Sequence, residues 1–170
     1  MVYYIDKFSS KERYAQFIRY MLSISDAFSV VYFRYSESEP LKKSTREIKK
    51  LLDPYKIYSR NTTEWPGTKT WNQGGHVYRL AFYKADPRAE EALLKANDIF
   101  DWCYPQFPMD LSFYKEGYAF FASCAHERLS WFFSDSDEEV NTLKELGTDI
   151  TVQREGEKPF FDEMLAKKMG

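Results

Sequence analysis

The chain has 170 residues, a net charge of −2 and a pI of about 5.8, which fits one domain and argues against a dedicated nucleic-acid binder. Its 13 tyrosines and 14 phenylalanines supply ample core, since each such ring buries roughly 150–250 Å². No apolar run reaches the ~20 residues that span a bilayer, and the two cysteines, Cys103 and Cys124, sit in no C-x-x-C pattern, which predicts buried thiols rather than a disulfide framework.

Val2–Ile5 reads as a short strand. Ser9 and Glu12 have capping-box spacing, with hydroxyl and carboxylate placed to satisfy free amides at a helix start. Tyr14, Phe17, Ile18, Met21 and Leu22 then form one apolar helical stripe. Ala27–Tyr35 is β-branched and aromatic on both faces, the pattern of a central strand. Pro40 opens a second helix that Asp53-Pro54 ends. Lys56–Arg60 is a candidate strand, Asn61–Gly75 a turn-rich loop with two tryptophans, and His76–Lys84 another strand.

Asp86-Pro87 caps a third helix, which carries Ala89, Ala92, Leu93, Ala96 and Phe100. Two prolines make Trp102–Met109 irregular. Leu111–Tyr114 and Tyr118–Cys124 read as a hairpin about a Gly-containing turn, followed by the strand Leu129–Phe133. Ser136 and Glu139 form a second capping box, opening a helix that stops at Gly147. Ile150–Val152 is a candidate edge strand. These elements predict an α+β fold: a mixed, mainly antiparallel sheet of about five to seven strands, with helices mostly on one face. Residues 1–153 are expected to form one domain, and 154–170 a charged tail that docks as a helix or frays.

Chemistry-bearing residues are scattered. Cys124, His126 and Glu127 resemble a nucleophile, its base and an orienting acid. On an extended strand, however, residues two apart lie about 6.6 Å from each other, which favours a structural corner with His126 and Glu127 bonding loop backbone. A metal centre would need His76, His126 and Cys103, Cys124 or Asp110 to converge, and no ligand-pair spacing predicts that. No metal and no cofactor is therefore expected. Lys42, Lys43, Arg46, Lys49, Lys50, Lys56 and Arg60 make a basic stretch that an acidic partner or a phosphate could meet, although a solvated helix face is the commoner outcome. No phosphate-binding glycine loop, G-x-S-x-G or H-E-x-x-H pattern occurs.

The loop holding Trp65 and Trp71 is the best recognition candidate. Indoles beside Asn, Gln, Thr and glycine combine flat apolar anchors with adaptable hydrogen bonding, and an irregular loop of this length is uncommon without a role. The alternative is that both rings fold under the loop as a satellite cluster.

Across FSVVYFRYSESEPLKKSTREI (28–48), TEWPGTKTWN (63–72) and PMDLSFYKEGYAFFASCAHE (108–127), the chain resembles a group of small Gram-positive bacterial proteins, some labelled stage III sporulation protein AH. The resemblance implies a bacterial or phage origin and a single domain. It implies no activity, and it directs attention to the Trp65 loop and the His126 corner. The functional expectation is a non-enzymatic, cytoplasmic protein-binding domain of immunity, antitoxin or inhibitor type, using Trp65, Trp71 and His76, with His126 and Glu127 nearby. The alternative is a small-ligand-binding protein or hydrolase with a pocket around His76, His126 and Glu127.

Overall fold

The computed structural model describes residues 1–6, 8–71, 74–148, 150–154 and 158–170. Strands β1 (Val2–Ile5), β2 (Ala27–Arg34) and β3 (Lys56–Asn61) alternate with helices α1 (Lys11–Ile24) and α2 (Lys43–Leu52). A two-stranded ribbon, β4 (Glu64–Trp65) and β5 (Thr68–Lys69), precedes β6 (Val77–Lys84) and the short α3 (Glu90–Leu93). Strands β7 (Met109–Lys115), β8 (Tyr118–Cys124) and β9 (Leu129–Phe133) form a meander, followed by α4 (Asp137–Glu145), β10 (Ile150–Arg154) and α5 (Glu163–Met169). The fold is α+β. Its main sheet has eight strands in the order β10-β1-β9-β8-β7-β2-β6-β3, and every pairing among them is antiparallel.

Strand alternation explains the layers. Phe28, Val30 and Tyr32 of β2 point to one face, where α1, α2, α3 and α4 bury Phe17, Ile48, Leu93 and Leu143 against them. Ala27 and Val31 point to the other face with Leu80, Phe82 and Tyr114. There the ribbon contributes Trp65 and α5 contributes Leu165. Four helices thus share one face, and the ribbon and last helix cover part of the second. Among the described residues no helix is long and apolar enough to cross a membrane.

Local chemistry moves several predicted boundaries. Helix α1 is capped by Ser10, whose hydroxyl accepts from the Arg13 amide at 3.1 Å, so the cap lies one residue after Ser9. The third helix breaks after one turn. Asp101 accepts from the amides of Asn97 and Asp98 at 2.8 and 3.0 Å and restarts the chain as a 3₁₀ turn at Ile99, because short acidic side chains compete with the helix ladder. At the β7–β8 turn, Glu116 and Gly117 both have positive φ, +51° and +85°, the geometry of a tight right-twisted hairpin. A Cβ on Gly117 would come within 2.7 Å of Ala166, so the missing side chain is also what admits α5. The segment after Lys158 docks: Asp162 caps α5 at the Leu165 amide, pairs with Arg60 at 2.7 Å and accepts from the Tyr58 hydroxyl, and Leu165 is fully buried.

Glu139 ties α4 to the meander. Ser136 caps the helix, accepting from the Glu139 amide at 3.3 Å. The Glu139 carboxylate takes the Lys115 ammonium and the Ser134 hydroxyl instead of completing the box. Burial pushes that carboxyl upward, but Lys115 and Ser134 together outweigh it and hold it below the usual range. A depressed carboxyl stabilises the folded chain above its unfolded pKa of about 4.3, and the effect disappears as pH falls through the folded value. Urea unfolding of wild type and Glu139→Gln across pH should show a wild-type advantage at pH 7 that shrinks to nothing in acid.

Candidate functional site

The stretch between β3 and β6 is organised by the two tryptophans in opposite ways. Trp65 is 2% exposed. Its indole donates to Asp110 Oδ2 at 2.8 Å, and its ring packs on Tyr78 at 5.1 Å. The expectation of an outward Trp65 is thereby corrected: a buried carboxylate under the ribbon gives the indole a partner that composition could not reveal. Gly67 lets the ribbon turn with φ +78°, and a Cβ there would meet the Trp131 ring at 2.7 Å. Trp71, by contrast, is 81% exposed. It follows Thr70, whose amide and hydroxyl both bond the Thr63 carbonyl, at 2.7 and 3.2 Å.

Thr63 belongs to a cleft of about 550 Å³ lined by Glu37, Asn61, Thr62, His76 and Tyr78 among others. Phe33 and Tyr35 of β2 and its extension share the parity of Val31, and His76 and Tyr78 share that of Leu80. The second sheet face therefore continues beyond the ribbon as a group of rings. His76 meets Phe33 edge-on at 5.5 Å and Tyr35 at 5.4 Å, and Tyr104 meets the same two rings at 5.0 and 5.7 Å. Tyr35 is 53% exposed. Glu37 adds a carboxylate, Asn61 an amide and Thr62 a hydroxyl, so the cleft combines apolar faces with hydrogen-bonding groups.

A second polar centre lies at the corner after β8. Asp110 has φ +58° and is 3% exposed. Its carboxylate accepts from Trp65 and from the Ala125 amide at 3.0 Å. Ala125–Glu127 form a 3₁₀ turn that Arg128 ends in the left-handed region, φ +56°. This turn brings Cys124 Sγ to 3.7 Å from His126 Nδ1, closer than an extended strand would allow. The Thr68 hydroxyl lies 3.7 Å from the same sulfur. His126 Nε2 is 3.8 Å from Glu127 Oε1, and both side chains are exposed. Burial and the nearby Asp110 charge push the Cys124 thiol upward, and burial raises Asp110 itself despite its two donors. A nucleophilic cysteine needs the opposite shift. The corner is held by Asp110, where the sequence suggested that His126 and Glu127 bond loop backbone.

The pocket expected around His76, His126 and Glu127 is not assembled. Strand β6, which His76 precedes, is separated from β8 by β2 and β7, about 14 Å across the sheet. Neither His126 nor Glu127 lines the His76 cleft. The basic stretch is partly neutralised: Lys42 pairs with Glu39, Lys49 with Asp53 and Arg60 with Asp162. Compared with known proteins, the chain matches no family model, no curated protein and no solved structure.

Sequence reading named Asp110 only as a possible metal ligand, not as the buried acceptor of Trp65 and Ala125, and missed Thr68, Phe33, Tyr35 and Tyr104. An acid at the start of the strand Met109–Phe113, among Met109, Leu111 and Phe113, was the one signal pointing to a buried role for Asp110. The contrast between the indoles is measurable. Trp65→Phe leaves the Asp110 carboxylate short of a donor and should cost about 1–3 kcal/mol in urea unfolding, whereas Trp71→Ala should stay within about 0.5 kcal/mol of wild type.

Proposed function

We propose that this chain is a non-enzymatic binding domain that recognises another protein through the Trp71–His76 end of the sheet. The observation that carries this reading is the exposed Trp71 indole, which follows the Thr70–Thr63 bonds at the cleft wall, together with the exposed Tyr35 ring packed on the half-buried His76. Exposed aromatic rings and a polar cleft carried by the same strands and ribbon match the make-up of interface hot spots, where aromatic anchors are desolvated and neighbouring polar groups set register. Trp65 has the supporting task of fixing the ribbon from which Trp71 departs. A role of immunity, antitoxin or inhibitor type suits such a domain, with the partner supplying an apolar side chain beside the indole and hydrogen-bonding groups for Glu37, Asn61 and Thr62.

An affinity-tagged wild-type chain should retain a defined protein from lysate of its source organism, and folded Trp71→Ala should lose that recovery by about tenfold or more. Equal recovery with the variant, or nothing retained above a tag-only control, would overturn the reading.

A further inference from the structure

We propose that Asp110, Cys124 and His126 form a binding site for a thiophilic divalent cation, with Zn²⁺ as the best match. One ligand atom from each of these residues lies within 4.8 Å of the other two. The sulfur-to-imidazole edge is 3.7 Å. In a tetrahedral zinc site, with Zn–S of about 2.3 Å and Zn–N of about 2.0–2.1 Å, that edge is about 3.6 Å. The pair is therefore already spaced for coordination, and the exposed His126 ring is free to make the remaining adjustment. A mixed sulfur, nitrogen and oxygen set selects zinc-like ions over magnesium or calcium, which prefer all-oxygen shells.

Charge points the same way. Asp110 is a buried carboxylate whose donors, Trp65 Nε1–H and the Ala125 amide, are both neutral. Among the described residues no lysine or arginine forms an ion pair with it. Burying a carboxylate without a cation is costly, and a dication held by Asp110 and a Cys124 thiolate leaves the cluster neutral. Each carboxylate oxygen has two lone pairs, so both existing hydrogen bonds survive coordination. They would then act as the outer contacts that orient a metal-bound carboxylate. Glu127 stands in the corresponding place for His126: its Oε1 is on the side of Nε2, opposite the Nδ1 that faces the sulfur. Coordination breaks the S–H bond of Cys124, forms the metal–sulfur bond and releases the proton to solvent. Three protein ligands leave a fourth position for water, and the Thr68 hydroxyl borders the cluster.

The test is titration of the chelator-treated full chain with Co²⁺, which reports thiolate ligation through a sulfur-to-cobalt charge-transfer absorption. The expected result is one Co²⁺ per chain, with that absorption present, displaced by Zn²⁺ and retained in Cys103→Ser. Cys124→Ser should abolish the absorption. His126→Ala, at an exposed ring that the fold does not need, should weaken Co²⁺ binding by about tenfold or more, and it decides the matter if Cys124→Ser fails to fold. No charge-transfer absorption in the wild type, its survival in folded Cys124→Ser, or unchanged affinity in His126→Ala would overturn the site and leave Asp110 a purely structural acceptor.

Discussion

The buried carboxylate of Asp110 joins the separate two-stranded ribbon to the open end of the β7–β8 hairpin. It belongs to β7, takes the indole of Trp65 from the ribbon and takes the backbone of Ala125 from the corner after β8. Residue 65 is 45 positions from residue 110, so fixing the ribbon there opposes loop-closure entropy, whereas the β7–β8 hairpin already brings residues 110 and 125 together. Packing of Trp65 against Tyr78 and seating of Gly67 under Trp131 help offset that cost. With the ribbon held, the start of β6 and the exposed Trp71 acquire a defined origin. With the corner held, Cys124 and His126 are turned toward each other. Both the departure point of Trp71 and the Cys124–His126 corner therefore depend on one buried acid.

That arrangement explains why the two tryptophans, six residues apart in the same polar loop, have opposite fates. Trp65 is in the ribbon strand that crosses the second sheet face and finds an acceptor beneath it. Trp71 lies past the end of the ribbon, after the Thr70–Thr63 bonds have closed it. Composition treats the rings alike because it carries no information about what lies underneath. The first-helix stripe and the 111–133 meander were legible for the opposite reason. Tyr14, Phe17, Ile18, Met21 and Leu22 are all buried at the spacing their own helix dictates, and Glu116-Gly117 supplies the turn geometry locally. Where a boundary moved, as at Asp98–Asp101, the competing bonds were also local, but their outcome depended on which of several adjacent acids won the amides.

The corner shows a different limit. The extended spacing overstates the separation of Cys124 and His126 because the chain leaves the strand at Ala125. Three consecutive turn residues convert a pair that a strand would keep apart into neighbours at 3.7 Å. A left-handed residue is needed to close such a turn, and Arg128 fills that position without being glycine, asparagine or aspartate, the types that adopt it most readily. Its guanidinium lies over the Phe100 ring at 4.9 Å, a contact of the cation–π kind that contributes on the order of 0.5–1 kcal/mol at exposed sites and offsets part of the backbone strain.

Coverage of the second sheet face is what separates core from surface in this fold. The ribbon and α5 together shield Ala27, Val31, Leu80, Phe82 and Tyr114. The same parity continues outward along β2 and β6 past Tyr78, on which Trp65 of the ribbon packs, to Phe33, Tyr35 and His76. Those rings pack on one another edge-on, which satisfies their quadrupoles but leaves Tyr35 half exposed. A fold seeking only stability would end β2 in polar residues at Phe33. Extending the apolar face past its cover leaves part of that face in water, next to the cleft that carries the hydrogen-bonding groups of Glu37, Asn61 and Thr62.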